Sequence, residues 1–159
     1  MLQCLRSKQS AGKRMNQSPF GSHSVQPLGQ HITVDIFEAS NLVGEKHIED
    51  MMVDCANAAK ATILKTHLHP FETNGGVSGM IILAESHISI HTWPEYHFAA
   101  MDIFMCGDAN PELCLSVIEQ CFKPKKMVIN TLTRGGNVNR LGQFEPLLNP
   151  QLNTTLKTA

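Results

Sequence analysis

The chain has 159 residues, 42% of them hydrophobic and 17% charged, with a formal net charge of −1. That length is one domain's worth, and the apolar share excludes a wholly disordered chain. The near-neutral balance supplies no basic field for nucleic acid or an anionic membrane, and the longest strongly apolar stretch, residues 80–84, falls far short of the ~20 that a membrane span needs.

The five cysteines, Cys4, Cys55, Cys106, Cys114 and Cys121, are odd in number and form no CxxC pair. This argues against a disulfide framework or a zinc ribbon and for free thiols in a reducing cytoplasm. Residues 1–14 carry basic side chains, no acids and no apolar core, so they do not make a secretory signal. They read as an unstructured leader or a transit-like segment, with Met15 as an alternative start. The leader is expected to run to residue 28, because its Ser, Gln, Gly and Pro content has little apolar periodicity.

Order is expected from about residue 29. Ile32, Val34 and Ile36 alternate with polar neighbours and predict a strand. Ile48, Met51, Met52, Cys55 and Ala59 recur at helical spacing over 45–60, with Glu45, Glu49 and Asp50 near the positive end of the helix dipole. A strand over 61–69 stops at Pro70, and Thr73, Asn74, Gly75 and Gly76 supply a turn. Strands follow over 77–84, 86–92 and 97–106. Pro111 opens a helix to about Phe122, and 125–133 is a last strand. The domain is expected to span 29–134, with an irregular tail over 135–159.

The order β-α-β-β-β-β-α-β predicts an α+β, two-layer sandwich: a mainly antiparallel sheet with two helices on one face. The strands carry apolar residues on both faces. The face without helices is therefore expected to be covered by a second subunit.

Chemistry-bearing residues concentrate in 83–106, which holds Glu85, Ser86, His87, His91, Trp93, Glu95, His97, Asp102 and Cys106. Alternation puts Ser86, Ile88 and Ile90 on one face and His87, Ser89 and His91 on the other, so Ser86 and His91 meet only across a bend. His67, His69, His87 and His91 lie at spacings that would let two strands chelate zinc, or they are ordinary strand histidines. Cys106 with His91, or Ser86 with His91, could be a nucleophile–imidazole pair, although no GxSxG elbow surrounds Ser86. Spacing alone leaves these readings open.

The run GVSGMIILAESHISIHTWPEYHFAAMDIFMC, residues 76–106, resembles the signature of prokaryotic-type S-adenosylmethionine decarboxylase proenzymes. The likeness extends back to LGQHITVDIFE at 28–38 and forward through the helix after Pro111. The resemblance implies self-cleavage between Glu85 and Ser86, by N→O acyl shift and β-elimination. Ser86 becomes a pyruvoyl group that forms a Schiff base with substrate. It further implies that Ser78 assists processing, that His91 accepts a proton during processing, and that Cys106 is the proton donor in catalysis. Phe71, Trp93 and Glu95 would bind substrate. Aromatic faces suit the sulfonium and adenine of S-adenosylmethionine, and a carboxylate suits its ribose diol. No metal is implied. The implied product is decarboxylated S-adenosylmethionine for spermidine biosynthesis, made by cleaved chains associated as (αβ)2 or larger. Arginine or ornithine decarboxylation on the same fold, or an uncleaved binding or metal-holding homologue, are the alternatives. The sequence departs from the pattern at His97, where a glycine or another small residue is expected, and in its longer leader.

Overall fold

A computed structural model describes residues 27–136 and 152–158. In chain order the elements are β1 (Gly29–Phe37), α1 (Glu45–Ala58), β2 (Ile63–Pro70), β3 (Val77–Leu83), β4 (Ser86–Trp93), β5 (Phe98–Cys106), α2 (Cys114–Phe122), β6 (Lys126–Arg134) and β7 (Leu152–Thr158). The strands form one sheet in the order β2-β3-β4-β5-β1-β6-β7, with every neighbouring pair antiparallel. This is the expected α+β sandwich.

The period-two pattern becomes the two faces of the sheet. Ile32, Val34, Ile36, Ile88, Ile90, Ala99, Met101, Ile103 and Met105 are buried. They pack with Ile48, Met51, Met52 and Cys55 of α1 and with Cys114, Ile118 and Phe122 of α2 in one core. The intervening strand residues line the opposite, open face. That face is not polar throughout. Met80 is 42% exposed and Ile82 45% exposed, and Trp93, Phe98 and Phe37 form a cross-strand aromatic row with ring centroids 5.5 and 5.1 Å apart.

Several boundaries differ from expectation, among them the end of β2, where Pro70 is still paired with Val77 on this edge strand. The helix after Pro111 begins with a 3-10 turn, Pro111–Leu113, and becomes α-helical only at Cys114. Asn110 Oδ1 accepts from the Glu112 N–H at 3.0 Å, and this side-chain cap with the fixed φ of proline tightens the first turn. Residues 152–158, expected within an irregular tail, instead form β7 on the sheet edge. An edge strand buries too little to need apolar alternation, and the polar run LNTTLKT pairs through its backbone with β6, from Lys126↔Thr158 to Leu132↔Leu152. The remainder of the expected tail up to 151, the transit-like segment and Met15 lie outside the described residues. So does most of the expected leader, although Leu28 N–H donates to Arg134 O at 3.0 Å.

Among the described residues Cys55, Cys106, Cys114 and Cys121 are free thiols, and no helix is long and apolar enough to cross a membrane.

Candidate active site

The bond between Glu85 and Ser86 lies where the two-residue turn Ala84–Glu85 joins β3 to β4, just past the closing pair Leu83↔Ser86. Glu85 is held from two sides. Its carboxylate accepts from the Thr62 N–H at 2.8 Å and the Thr62 hydroxyl at 3.2 Å, while Thr62 O accepts from Ala84 N–H at 2.9 Å. The Thr62 N–H is the main reason that this carboxyl is held below the usual carboxylate range. Its carbonyl oxygen accepts from both the Cys106 N–H at 3.1 Å and the Cys106 thiol at 2.8 Å. Two donors therefore converge on the carbonyl of this one peptide bond.

Ser86 has φ +152°, a conformation that an L side chain rarely adopts. Its hydroxyl lies 3.2 Å from His87 Nδ1. Neighbouring strand residues ordinarily face opposite sides, so the strained φ is what allows these two side chains to meet. His87 in turn packs against Phe104 and His31, with ring centroids at 6.1 and 6.4 Å. Burial first, and then the charge of His31, push the His87 imidazole below its ordinary value, while Asp102 acts in the opposite sense.

The other expected residues gather at the far end of the same strands. Ser78 and His91 are cross-strand partners, and Ser78 Oγ lies 2.8 Å from His91 Nδ1. The His91 ring lies against Trp93, centroids 5.9 Å apart, and Trp93 stacks on Phe98. Thr92, on the core side, keeps this end closed: its hydroxyl accepts from the Val77 N–H at 2.8 Å. Trp93 leads into a 3-10 turn, Pro94–Tyr96, which presents Glu95. Both Glu95 carboxylate oxygens accept from Asn74 Nδ2, at 3.0 and 2.9 Å, and Asn74 Oδ1 accepts from the Gly76 N–H. Phe71 stands in the same loop, edge-on to His69 at 5.2 Å. His97 follows in the left-handed region, φ +50°, which explains why a glycine would suit that position. Its imidazole adds to the influence of Lys125 in lowering Glu38.

The expected site residues thus divide into two groups on one chain. Glu85, Ser86 and Cys106 lie at one end of the sheet, and Ser78, His91, Trp93, Glu95 and Phe71 at the other. His91 lies five positions beyond Ser86 along an extended strand, about 16 Å away. β4 stays in unbroken register with both neighbours, so the bend that would bring them together is absent. The histidines do not assemble either. Among the described residues no group of three or more His, Cys, Asp or Glu side chains could hold a metal ion. His67 and His69 lie along β2, His91 is bonded to Ser78, and His87 faces Ser86.

A family model described as S-adenosylmethionine decarboxylase matches residues 30–135. The chain belongs to the S-adenosylmethionine decarboxylase family. An S-adenosylmethionine decarboxylase proenzyme of Thermomicrobium roseum is 38% identical over 112 residues, which cover 70% of this chain and 97% of that protein. One of Methanococcus aeolicus is 41% identical over 114 residues, with 70% and 97% coverage. The crystal structure of the adenosylmethionine decarboxylase from Aquifex aeolicus superposes with a TM-score of 0.63 at 30% identity, covering 69% of this chain and 92% of that one. The resemblance carried by residues 76–106 is borne out at the level of the family.

For a member of the S-adenosylmethionine decarboxylase family, three residues around these two groups escape a reading of the sequence. Thr62 reads as an ordinary strand residue, Asn74 as turn chemistry, and His87 as a zinc ligand at most. Each reaches the site through strand pairing or a loop contact between residues distant in the sequence, except His87. Its only sequence signal is that it follows Ser86.

Proposed function

We propose that the chain is a self-processing, pyruvoyl-dependent decarboxylase of S-adenosylmethionine, cleaved between Glu85 and Ser86. The observation that carries this reading is the pair of Cys106 donors on the Glu85 carbonyl beside a strained Ser86. When Ser86 Oγ attacks that carbonyl carbon, the developing oxyanion falls on the oxygen that already receives both donors. Collapse breaks the C–N bond and leaves an ester, which relieves the strain at Ser86. Removal of the Ser86 Cα proton then expels residues 1–85 as a carboxylate. Hydrolysis with loss of ammonia leaves a pyruvoyl group at the head of residues 86–159.

That group supplies a ketone able to condense with the substrate amine and accept the electron pair left by carbon dioxide. The residues present fit it. Departure of Glu85 frees the Cys106 thiol from its acceptor, beside the new terminus, where it can hold the proton that returns to the substrate α-carbon. Trp93 stacked on Phe98, with Phe71 nearby in sequence to Asn74, offers aromatic faces to the sulfonium and adenine. Glu95 uses part of its acceptor capacity on Asn74 and keeps lone pairs for two ribose hydroxyls. The product suits aminopropyl transfer in spermidine synthesis, and the free thiols suit a reducing cytoplasm.

Glu95→Gln should therefore raise KM for S-adenosylmethionine about 10–100-fold, the worth of a hydrogen bond to a charged group, and leave kcat within about threefold. Release of labelled carbon dioxide from carboxyl-labelled substrate measures both. Comparable release from arginine or ornithine would replace the substrate assignment.

The separation of Ser86 from His91 is accounted for by a second copy. Face-to-face sheets pack about 10 Å apart. A two-fold axis lying in that interface, across the strands near Ser89, sets the Ser78–His91 end of one copy over the Ser86–Cys106 end of the other. The arrangement buries the exposed Met80, Ile82 and Trp93 and builds two identical sites, each with residues from both chains. His91, steadied by Ser78, then serves as the base for the Ser86 Cα proton of the facing copy. Co-expression of His91→Ala and Ser86→Ala chains tests this. Neither is cleaved alone, whereas mixed dimers should cleave the His91→Ala chain, because its intact Ser86 meets the intact His91 of the other. Failure of mixed dimers to cleave would place both groups in one chain.

A further inference from the structure

Before Ser86 Oγ can attack, its own proton must leave, and no residue named so far takes it. The same chain's His91 is about 16 Å away along the strand, and the His91 of the facing copy is assigned to a later proton, the one on Cα. His87 Nδ1, at 3.2 Å from Ser86 Oγ, is within hydrogen-bond reach in the same chain. We propose that His87 is the general base of the acyl shift. Its Nδ1 takes the Oγ proton as the Oγ–C bond to Glu85 forms, and returns it to the Ser86 nitrogen as the C–N bond breaks. One bond forms and one breaks, the proton is shuttled, and nothing is oxidised or reduced. This inference rests on the reading that the Glu85–Ser86 bond is the one cleaved.

The surroundings suit the role. An adjacent histidine on a regular strand would face away from the serine, and the φ of +152° at Ser86 removes that obstacle. The ring is fixed by Phe104 from β5 and His31 from β1. The titratable groups facing it are His31 and Asp102, and across the β3 pairing stands the uncharged Ile82. Asp102 lies 3.3 Å from His31 Nε2 without a hydrogen bond, and Arg134 Nη1 lies 3.1 Å from His31 Nδ1, so His31 sits between a carboxylate and a guanidinium. Burial and His31 both favour the neutral imidazole, the form that accepts a proton.

The test follows cleavage of the full chain made by cell-free synthesis, in excess hydroxylamine. Hydroxylamine cuts an ester but spares an amide, so cleavage then reports the acyl shift and is independent of the elimination that follows. His87→Ala and His87→Gln should slow cleavage at least about a hundredfold while retaining the melting midpoint of the unsubstituted chain. Added imidazole should partly restore His87→Ala. In the unsubstituted chain the rate should fall with acid below an inflection under pH ~6.5. The sign follows from the depressed value: the base is neutral down to a lower pH than a free imidazole. Cleavage by either folded variant within threefold of the unsubstituted rate overturns the proposal. So does a loss that neither imidazole restores nor the acid profile accompanies, which would assign His87 a structural part only. If neither variant folds, the acid profile decides, and an inflection at or above the free-imidazole value, or none down to the pH at which the fold is lost, overturns the proposal. An unsubstituted chain that never cleaves removes the underlying reading as well, an outcome distinct from cleavage that ignores His87.

Discussion

Ser86→Ala should yield one uncleaved chain of 159 residues with no decarboxylase activity, where the proposed cleavage of the unsubstituted protein should yield residues 1–85 and 86–159. The loss is complete because alanine lacks the hydroxyl that forms the ester, and no neighbouring group can substitute for an oxygen attached to the residue that becomes the cofactor. Alanine also keeps the Cβ and the hydrogen-bonded frame. The Thr62 contacts to Glu85 and the Cys106 donors to its carbonyl involve no Ser86 side-chain atom. The variant should therefore fold with the same melting behaviour, and intact mass spectrometry should give a single species. Two fragments from Ser86→Ala would mean that another residue begins the reaction.

Cys106→Ala should separate two effects that meet on one sulfur. In the uncleaved chain the thiol donates to the Glu85 carbonyl at 2.8 Å, and the backbone N–H of the same residue, which donates at 3.1 Å, survives the substitution. Losing one of two oxyanion donors costs about 10²–10³ in rate, so processing slows and still reaches completion on long incubation. After cleavage the thiol has no backup. Without a group to return the proton, kcat of the fully processed variant should fall by about 10²–10⁴ with KM little changed. A time course by mass spectrometry reads the first effect, and carbon dioxide release from material that is already cleaved reads the second. An unchanged kcat would show that another group returns the proton.

Both experiments depend on geometry that is only partly written in local sequence. Alternation over residues 30–36, 86–92 and 97–106 reveals strands, because each buries one face against helices and the apolar period records that burial. It is silent at β7, whose edge position leaves Thr155, Leu156, Lys157 and Thr158 exposed. The composition of 83–106 exposes a reactive window, and its likeness to a known family assigns roles within it. Register is different in kind. That Cys106 sits against the Glu85 carbonyl follows from β4 and β5 pairing as Ser86↔Met105, and that Ser78 sits against His91 follows from β3 and β4 pairing. Such pairings join residues 13 to 21 apart in the chain, and no local period encodes them. Alternation alone set Ser86 and His91 on opposite faces. The strained φ at Ser86 changes that relation, and the five-residue span between the two leaves them apart in one copy. Asn74 and Thr62 are hidden for the same reason, since each acts on a carboxylate more than 20 residues away.

The strand order gives the proposed cut after residue 85 a further consequence. β1, β2 and β3 belong to the first fragment and β4 to β7 to the second, yet β1 is inserted between β5 and β6, and the severed turn is spanned by the β3–β4 ladder. The two pieces are interleaved rather than adjacent, so neither is a self-sufficient folding unit. Maturation should leave the native assembly intact under ordinary conditions and make its unfolding a one-way event, because the tether that once guided β1 into its slot is gone.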